Sequence, residues 1–260
     1  MDEFFNIPDY YDAMAQGVAG DVEFYAAEAK RAKGPVLELG AGTGRTLIPM
    51  AEAGATVTGL DANGAMLDAL RKKLLGRPPK FIKRITLVEG DMRRFKLKGK
   101  FALIAAPFRA FLHNLTVADQ LATLACVRTH LAPKGRFVFN VFDPSYEILL
   151  EGRATLGGRM IRLTEFKHPR SGNRVIVWTA RRESGFDSQI ISEDWIFEEL
   201  GKGGRSVARD VRTLTLRYVF RYEMEHLLAR AGFEVEALYG DFNRGAFRHG
   251  GEQVWVVRRR

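Results

Sequence analysis

The sequence predicts an α/β fold built on a parallel sheet. An apolar run at Val36–Leu39 has the pattern of a buried strand, and a glycine turn at Gly40–Gly44 follows it at once. Helical apolar spacing begins at Thr46, and strand and helix patterns then alternate with short turns as far as Phe142. Strand, glycine turn and helix together begin a nucleotide-binding βαβ unit, because the glycines permit a tight turn and the helix offers free N–H groups.

The spacing of the glycines separates two kinds of ligand. A dinucleotide fingerprint needs Gly-x-Gly-x-x-Gly, whereas this turn has glycines at 40, 42 and 44 and then Arg45. Glu38 also lies inside the strand, two residues before the first glycine. A carboxylate there suits a ligand with a cationic ammonium or sulfonium better than it suits a pyrophosphate.

The run Glu38–Gly44 (ELGAGTG) resembles the first motif of the class I S-adenosylmethionine-dependent methyltransferases, of the small-molecule type with a β-rich insertion after strand five. The resemblance implies a Rossmann-like, mostly parallel seven-stranded sheet with helices on both faces. It implies S-adenosylmethionine as cofactor, S-adenosylhomocysteine as product, no metal, and cofactor contacts from Gly40, Ala41 and Gly42. The alternative is a generic strand, turn and helix with an incidental glutamate.

Asp61 closes the second predicted strand, Thr56–Leu60, and lies 21 residues after the first glycine of the turn. This is the distance at which a carboxylate reaches ribose hydroxyls from the neighbouring strand. In the family, the residue after this acid and an apolar residue on the next helix pack against adenine, here Ala62 and Met66. A helix-cap role for Asp61 or Asn63 is the alternative.

Gly90, Asp91 and Met92 follow the third predicted strand, Ile85–Glu89. Gly-Asp alone is only a turn signal. As the third motif in the family's order it is similar to the adenine-binding motif, in which the aspartate accepts from the exocyclic amine.

The fourth predicted strand, Phe101–Ala106, ends where the resemblance places the transferred methyl, with Ala106 beside the cofactor. The residues that follow lack the Asn/Asp-Pro-Pro-Tyr and Pro-Cys motifs of base methylation. His113 is a candidate general base. Phe108 and Arg109 are candidate substrate-binding residues, and Arg109 could bind a carboxylate or phosphate group of the acceptor. Structural roles for His113 and Arg109 are the alternatives.

Residues 8–12 (PDYYD) resemble the family's lid segment, in which a tyrosine covers the sulfonium. We therefore expect residues 1–32 to form lid helices, with Tyr11 as a cofactor and catalytic candidate. Simple anchoring of the helix by Tyr10 and Tyr11 is the alternative.

β-rich runs separated by hairpin breaks occupy residues 159–220 and predict an antiparallel sheet of about four strands. Residues 1–142 and 221–260 then form the cofactor core, and residues 143–220 are an insertion that covers the acceptor. Three aromatic residues of the insertion either line an acceptor pocket or form the packing face of the antiparallel sheet: Trp178, Trp195 and Phe197.

The composition excludes several classes of protein. The 260 residues are 46% hydrophobic and 27% charged, which is ordinary for a globular domain. The formal charge of +9 suggests nucleic acid, but the basic residues are interleaved with acids, so a nucleic-acid partner is not favoured. The single cysteine, Cys126, excludes internal disulfides and cysteine-cluster metal sites. An acidic start and no membrane-length apolar run predict a cytoplasmic protein without a membrane partner.

These observations predict an enzyme that moves a methyl group from S-adenosylmethionine, by in-line displacement, to an N or O atom of a small-molecule acceptor. An RNA or protein methyltransferase and a non-catalytic S-adenosylmethionine-binding protein are the alternatives. The sequence leaves open the acceptor, the general base and the oligomeric state, for which a dimer is one alternative.

Overall fold

A computed structural model of the chain describes residues 3–146, 149, 160–185 and 187–260. Three sequence predictions fall partly outside the described residues: the acidic N-terminus at Met1 and Asp2, the first part of the insertion at 147–148 and 150–159, and the hairpin break at Phe186. Within the described residues, no helix combines the length and the apolar character needed to cross a membrane.

A seven-stranded sheet, sheet A, forms the centre of the molecule. Its strands are Val36–Leu39 (β1), Val57–Asp61 (β2), Ile85–Glu89 (β3), Phe101–Ala106 (β4), Leu131–Phe142 (β5), Phe233–Tyr239 (β10) and Glu252–Arg259 (β11). The spatial order is β10-β11-β5-β4-β1-β2-β3. β1 to β5 pair in parallel, and β11 pairs antiparallel with both β5 and β10. The carboxyl ends of β1 to β5 therefore meet at one edge, where a ligand of such a sheet binds.

Helices cover both faces of sheet A. They are Pro8–Met14 (α1), Asp21–Ala32 (α2), Leu47–Glu52 (α3), Gly64–Leu74 (α4), Pro79–Ile82 (α5), Val117–His130 (α6) and Arg221–Arg230 (α7). Apolar residues of α2, α3 and α4 form one core with Val36 and Leu103. Those of α6 and α7 form a second core, on the other face, with Leu37 and Trp255. Burial on both faces explains why β1 and β4 are almost continuously apolar.

A second, antiparallel sheet, sheet B, consists of Met160–Lys167 (β6), Arg174–Gly185 (β7), Ile190–Leu200 (β8) and Ser206–Arg217 (β9), paired in that order. One of its faces carries Val177 and Phe197, which are buried against Tyr10 and Met14 of α1. We call this the inner face of sheet B. Sheet B therefore contacts the N-terminal helix α1.

The sheet architecture agrees with the sequence prediction, while the strand bounds outside β1, β3 and β4 differ from the predicted ones. β5 begins at Leu131, because Leu131 pairs with Phe101, and a bulge separates this pair from the next one, Leu103 with Arg136. β9 runs over Ser206–Arg217. The two residues that follow it, Tyr218 and Val219, leave the sheet and are buried in the core.

Candidate functional site

The glycine turn after β1 lies at the carboxyl edge of sheet A. Gly40 has a φ of +73°, and a Cβ there would lie 2.9 Å from the Cβ of Ala110. Gly44 has a φ of +86°, and a Cβ would lie 2.3 Å from Cδ1 of Leu70 on α4. Glycine is therefore required at both positions, by backbone conformation and by close packing.

Asp61, at the end of β2, connects this turn to α4. Its Oδ2 accepts from the Gly42 N–H at 2.7 Å, and its Oδ1 accepts from the Asn63 N–H at 2.8 Å. Burial raises the pKa of the Asp61 carboxyl, and these two backbone hydrogen bonds partly oppose the rise. Each oxygen retains a lone pair that can accept from a ligand hydroxyl.

Glu38 provides a buried carboxyl beneath the glycine turn. It is 1% exposed, and its Oε1 accepts from Thr46 Oγ1 at 2.5 Å. Its Oε2 is buried and has no hydrogen-bond partner among the described residues. Burial raises the pKa of Glu38 to about 8. The unpaired oxygen fits a ligand that brings a cationic ammonium group.

Asp91, after β3, is held by an ion pair within its own turn. Arg93 donates from Nε to Oδ1 at 2.9 Å and from Nη2 to Oδ2 at 2.7 Å. The hydrogen bonds from Arg93 lower the pKa of Asp91, so the carboxyl is ionised at neutral pH. An adenine amine would share this carboxylate with the arginine. The neighbouring Met92 accepts from Asn114 Nδ2 at 3.6 Å through its sulfur.

The remaining predicted cofactor residues lie along the same edge of sheet A. Met66 is 2% exposed on α4, and its backbone N–H donates to Asn63, the N-cap residue of that helix, at 3.2 Å. The helix-cap alternative therefore applies to Asn63, while Asp61 remains directed at the turn. The others are an exposed alanine, a glycine and two buried alanines: Ala62, Gly90, Ala41 and Ala106.

The segment after β4 has an unusual backbone. Phe108 and Arg109 have φ values of +50° and +65°, a conformation that non-glycine residues rarely adopt. The Phe108 ring lies 4.8 Å from the guanidinium of Arg45, and Arg109 donates from Nε to Glu252 at 3.0 Å. Glu252 is 7% exposed, so Arg109 forms an ion pair with a buried carboxylate, which is a structural role. The expectation that Arg109 holds an acceptor anion has no support in this geometry.

An aromatic group joins the two catalytic candidates at the end of β4. The Phe5 ring lies 5.2 Å from the His113 ring and 5.9 Å from the Tyr11 ring. Burial raises the pKa of Tyr11 to about 12 and lowers that of His113 to about 4. At neutral pH the phenol therefore keeps its proton, and the imidazole is neutral.

The predicted tryptophan pocket is wrong in one respect. Trp195 pairs with Thr179 on the inner face of sheet B, and its ring lies 5.3 Å from Phe4. Trp178 pairs with Ile196 on the opposite face, where its indole donates to Glu198 at 3.1 Å. Side chains alternate along a strand, so the two tryptophans cannot line one pocket.

Three comparisons relate the chain to known proteins. A family model described as a methyltransferase domain matches residues 36–135. The chain is 31% identical over 252 residues to a dTDP-3-amino-3,4,6-trideoxy-alpha-D-glucopyranose N,N-dimethyltransferase of Streptomyces venezuelae, across 92% of this chain and 95% of that protein. The structure of the CcbJ methyltransferase of Streptomyces caelestis aligns with a TM-score of 0.77 and 26% identity, across 100% of this chain and 99% of that one.

The chain belongs to the class I S-adenosylmethionine-dependent methyltransferases. The predicted family, fold class and cofactor are thereby confirmed. A third relative, the cypemycin N-terminal methyltransferase of a Streptomyces species, is 31% identical over 137 residues, which is 53% of this chain. The aligned part covers 54% of that relative, so the chain spans about half of its length.

The methyltransferase has two further ion-pair groups, on helices α1 and α2, that sequence reasoning missed. Asp12 of α1 accepts from Thr43 Oγ1 at 2.5 Å and from Lys73 Nζ at 2.7 Å. Asp21 of α2, 1% exposed, accepts from two nitrogens of Arg45, at 2.8 and 2.6 Å. Partners this far apart in sequence leave no local pattern, so only the fold could reveal them.

Metal ligation has no support in the described part of the methyltransferase. There, no group of three or more His, Cys, Asp or Glu residues is close enough to hold a metal ion. The fit to the organic cofactor rests instead on the carboxylates of Glu38, Asp61 and Asp91, and above all on the unpaired, buried oxygen of Glu38.

Proposed function

We propose that the enzyme methylates an amine nitrogen of a small-molecule acceptor, and that the acceptor is an amino sugar. The observation that carries the proposal is the aromatic group in which Phe5 contacts both Tyr11 and His113 beside the end of β4. The S. venezuelae relative, which aligns along almost the whole chain, is named for an amino-sugar acceptor, and this supports the choice.

Three carboxylates have separate roles at the cofactor. When bound, S-adenosylmethionine supplies a methyl group on a sulfonium, a good leaving group for in-line displacement. Asp61 accepts hydrogen bonds from the ribose hydroxyls, and Asp91 accepts from the adenine amine. Glu38 neutralises the ammonium with its unpaired oxygen. The glycine turn leaves room for the cofactor to approach the main chain.

His113 and Tyr11 act on the acceptor side. The neutral imidazole accepts a hydrogen bond from the amine, which orients the nitrogen lone pair toward the methyl group, and the methylated nitrogen keeps its proton and leaves as an ammonium. The Tyr11 phenol keeps its proton because its pKa is raised to about 12, so it positions the reactants and is not a base. Aromatic faces around the reacting atoms also exclude water and stabilise positive charge.

The domain division follows from these roles. We assign cofactor binding to residues 1–142 and 221–260, with residues 1–32 as the lid, and acceptor enclosure to residues 143–220. The packing of Tyr10 against Phe166 and Phe197 supports this assignment, because it places sheet B against the lid helix. Cytoplasmic location and a dimeric assembly stay predictions.

Incubation with labelled S-adenosylmethionine tests the proposal. A dTDP-linked amino sugar should gain methyl groups, whereas the same sugar with a hydroxyl in place of the amine should not. A peptide with a free N-terminus is the third acceptor, because one relative is named as an N-terminal methyltransferase. Methylation of the peptide alone, or of the hydroxyl sugar, would contradict the amino-sugar proposal.

The same assay tests His113. His113→Gln should lower kcat by about a hundredfold, because a displacement of the acceptor nitrogen by about 1 Å costs that much. The KM for S-adenosylmethionine should change little. His226→Gln, an exposed histidine on α7, is the matched control and should leave both constants unchanged. Equal rates for His113→Gln and the parent would remove His113 from the mechanism.

A further inference from the structure

The inner face of sheet B carries a polar group that the proposed mechanism does not use. On β7 and β8, Arg181 pairs with Glu193, and Thr179 pairs with Trp195. Directly paired residues share a face, and residues two apart along a strand return to it. Arg181, Glu193 and Trp195 therefore lie side by side on the same face as Phe197.

Two of these side chains contain buried donors without acceptors. The Arg181 side chain is 10% exposed, and its Nη2 forms an ion pair with Glu193 at 2.6 Å. Its Nε and Nη1 are buried and have no hydrogen-bond partner among the described residues. The same holds for the indole nitrogen of the neighbouring Trp195. Buried N–H groups are normally paired, because an unpaired one loses its hydration without compensation.

The chemistry of these donors defines what could satisfy them. Arginine Nε carries one hydrogen, Nη1 carries two and the indole nitrogen carries one, and none of these atoms can accept. A ligand must therefore bring oxygen lone pairs. The planar fork of a guanidinium matches the paired oxygens of a carboxylate or a phosphate. Glu193 already offsets the charge of Arg181, so a singly charged oxyanion group is the best match.

The position of the donors points to the acceptor. The Trp195 ring contacts Phe4 at 5.3 Å, and the adjacent strand β9 contacts the 3₁₀ turns Glu3–Phe5 and Ala110–His113. Phe5 and His113 belong to those two turns and form the proposed acceptor side. The inner face of sheet B thus lies beside the place where the acceptor amine is expected.

We propose that Arg181 and Trp195 form an oxyanion subsite that binds a carboxylate or phosphate group of the acceptor. The inference rests on the proposed function, since it assumes that an acceptor lies between sheet B and the end of β4. A phosphate would come from a nucleotide-linked sugar, and a carboxylate from an acidic acceptor.

Calorimetric titration of the full chain, saturated with S-adenosylhomocysteine, tests the subsite. The probes are thymidine diphosphate for the phosphate source and succinate for the carboxylate source. At least one probe should bind. Arg181→Gln and Trp195→Phe should each weaken the binding of that probe by about tenfold, because each removes a hydrogen bond to a charged group. Arg182→Gln and Trp178→Phe are matched controls, because Arg182 pairs with Asp194 and Trp178 donates to Glu198. The affinity of these two control variants for the probe should stay within about twofold of the parent's affinity.

Indole N–H resonances provide a second measurement on the unaltered protein. The chain has three tryptophans, and Trp178 and Trp255 already donate to Glu198 and Gln253. Addition of the bound probe should move the Trp195 resonance downfield and leave the other two in place.

Three results would overturn the subsite: neither probe binds, the Arg181 and Trp195 variants bind as the parent does, or the Trp195 resonance stays fixed. Its failure is distinguishable from failure of the proposed function. Amino-sugar methylation that is unaffected by Arg181→Gln would refute the subsite alone. Probe binding that depends on Arg181 in an enzyme that methylates no amine would refute the proposed function alone.

Discussion

At the scale of single residues, Glu38 shows how a binding role conflicts with stability. Its carboxyl is buried with one oxygen unpaired, and burial raises its pKa to about 8. Between its ordinary pKa and 8, the folded protein therefore holds a proton that the unfolded chain has lost. The free energy of unfolding must fall as the pH rises through this range. A cofactor ammonium would relieve this cost by pairing with the carboxylate.

Glu38→Gln should flatten the pH profile of stability. Without cofactor, the parent should lose roughly 3 kcal/mol more than the variant between pH 5 and pH 8, at about 1.4 kcal/mol per pH unit. Urea unfolding at the two pH values measures the difference. The variant should also bind S-adenosylmethionine about tenfold more weakly, because the ammonium loses its counter-charge.

Glu52→Gln is the control for this comparison, because Glu52 is an exposed carboxylate that pairs with Arg77 on the surface. It should change neither the pH profile nor the affinity. Parallel profiles for Glu38→Gln and the parent would show that Glu38 is ionised in the folded protein, and the proposed stability cost would be wrong.

At the scale of elements, α1 connects the glycine turn to sheet B. Asp12 binds Thr43 in the turn and Lys73 on α4, while Tyr10, two residues earlier, packs against Phe197 of sheet B at 5.3 Å. Tyr11 lies between these two contacts in sequence. The position of its phenol therefore depends on both contacts.

Asp12→Asn should loosen this connection. The amide cannot form an ion pair with Lys73, so the KM for S-adenosylmethionine should rise about tenfold, with a smaller effect on thermal stability. Asp9→Asn is the control on the same helix, because Asp9 pairs only with the exposed Arg170 among the described residues. Steady-state kinetics give the KM for S-adenosylmethionine of both variants. An unchanged KM for Asp12→Asn would show that the Asp12 carboxylate is not needed to hold α1 in place.

The sequence predicted elements well where burial alone defines them. β1 and β4 match the predicted bounds, because each is a short, buried apolar run that ends at a turn. β9 could not be placed in this way, because its early half is exposed and polar, and pattern cannot mark its start. The bulge in β5 likewise depends on pairing with β4, which no single strand encodes.

At the scale of the whole molecule, the order of motifs predicted that Asp61 lies against the glycine turn, while contacts between distant segments had no sequence signal. Asp61 was predictable, because a fixed distance from the glycine turn brings it to the neighbouring strand. The location of Trp178 and Trp195 on opposite faces of sheet B was not predictable, because it depends on the register between β7 and β8. The pairing of Arg109 with Glu252 joins residues 143 positions apart.

The central claim is that the carboxyl edge of sheet A holds S-adenosylmethionine through Asp61 and Asp91. Calorimetric titration of S-adenosylmethionine into the parent, Asp61→Ala and Asp91→Ala tests it most directly, with Asp68→Ala, an exposed aspartate on α4, as the control. We expect each of the first two variants to remain folded and to bind at least about tenfold more weakly, while the control binds as the parent does. Folded Asp61→Ala and Asp91→Ala proteins with the parent's affinity would contradict the claim.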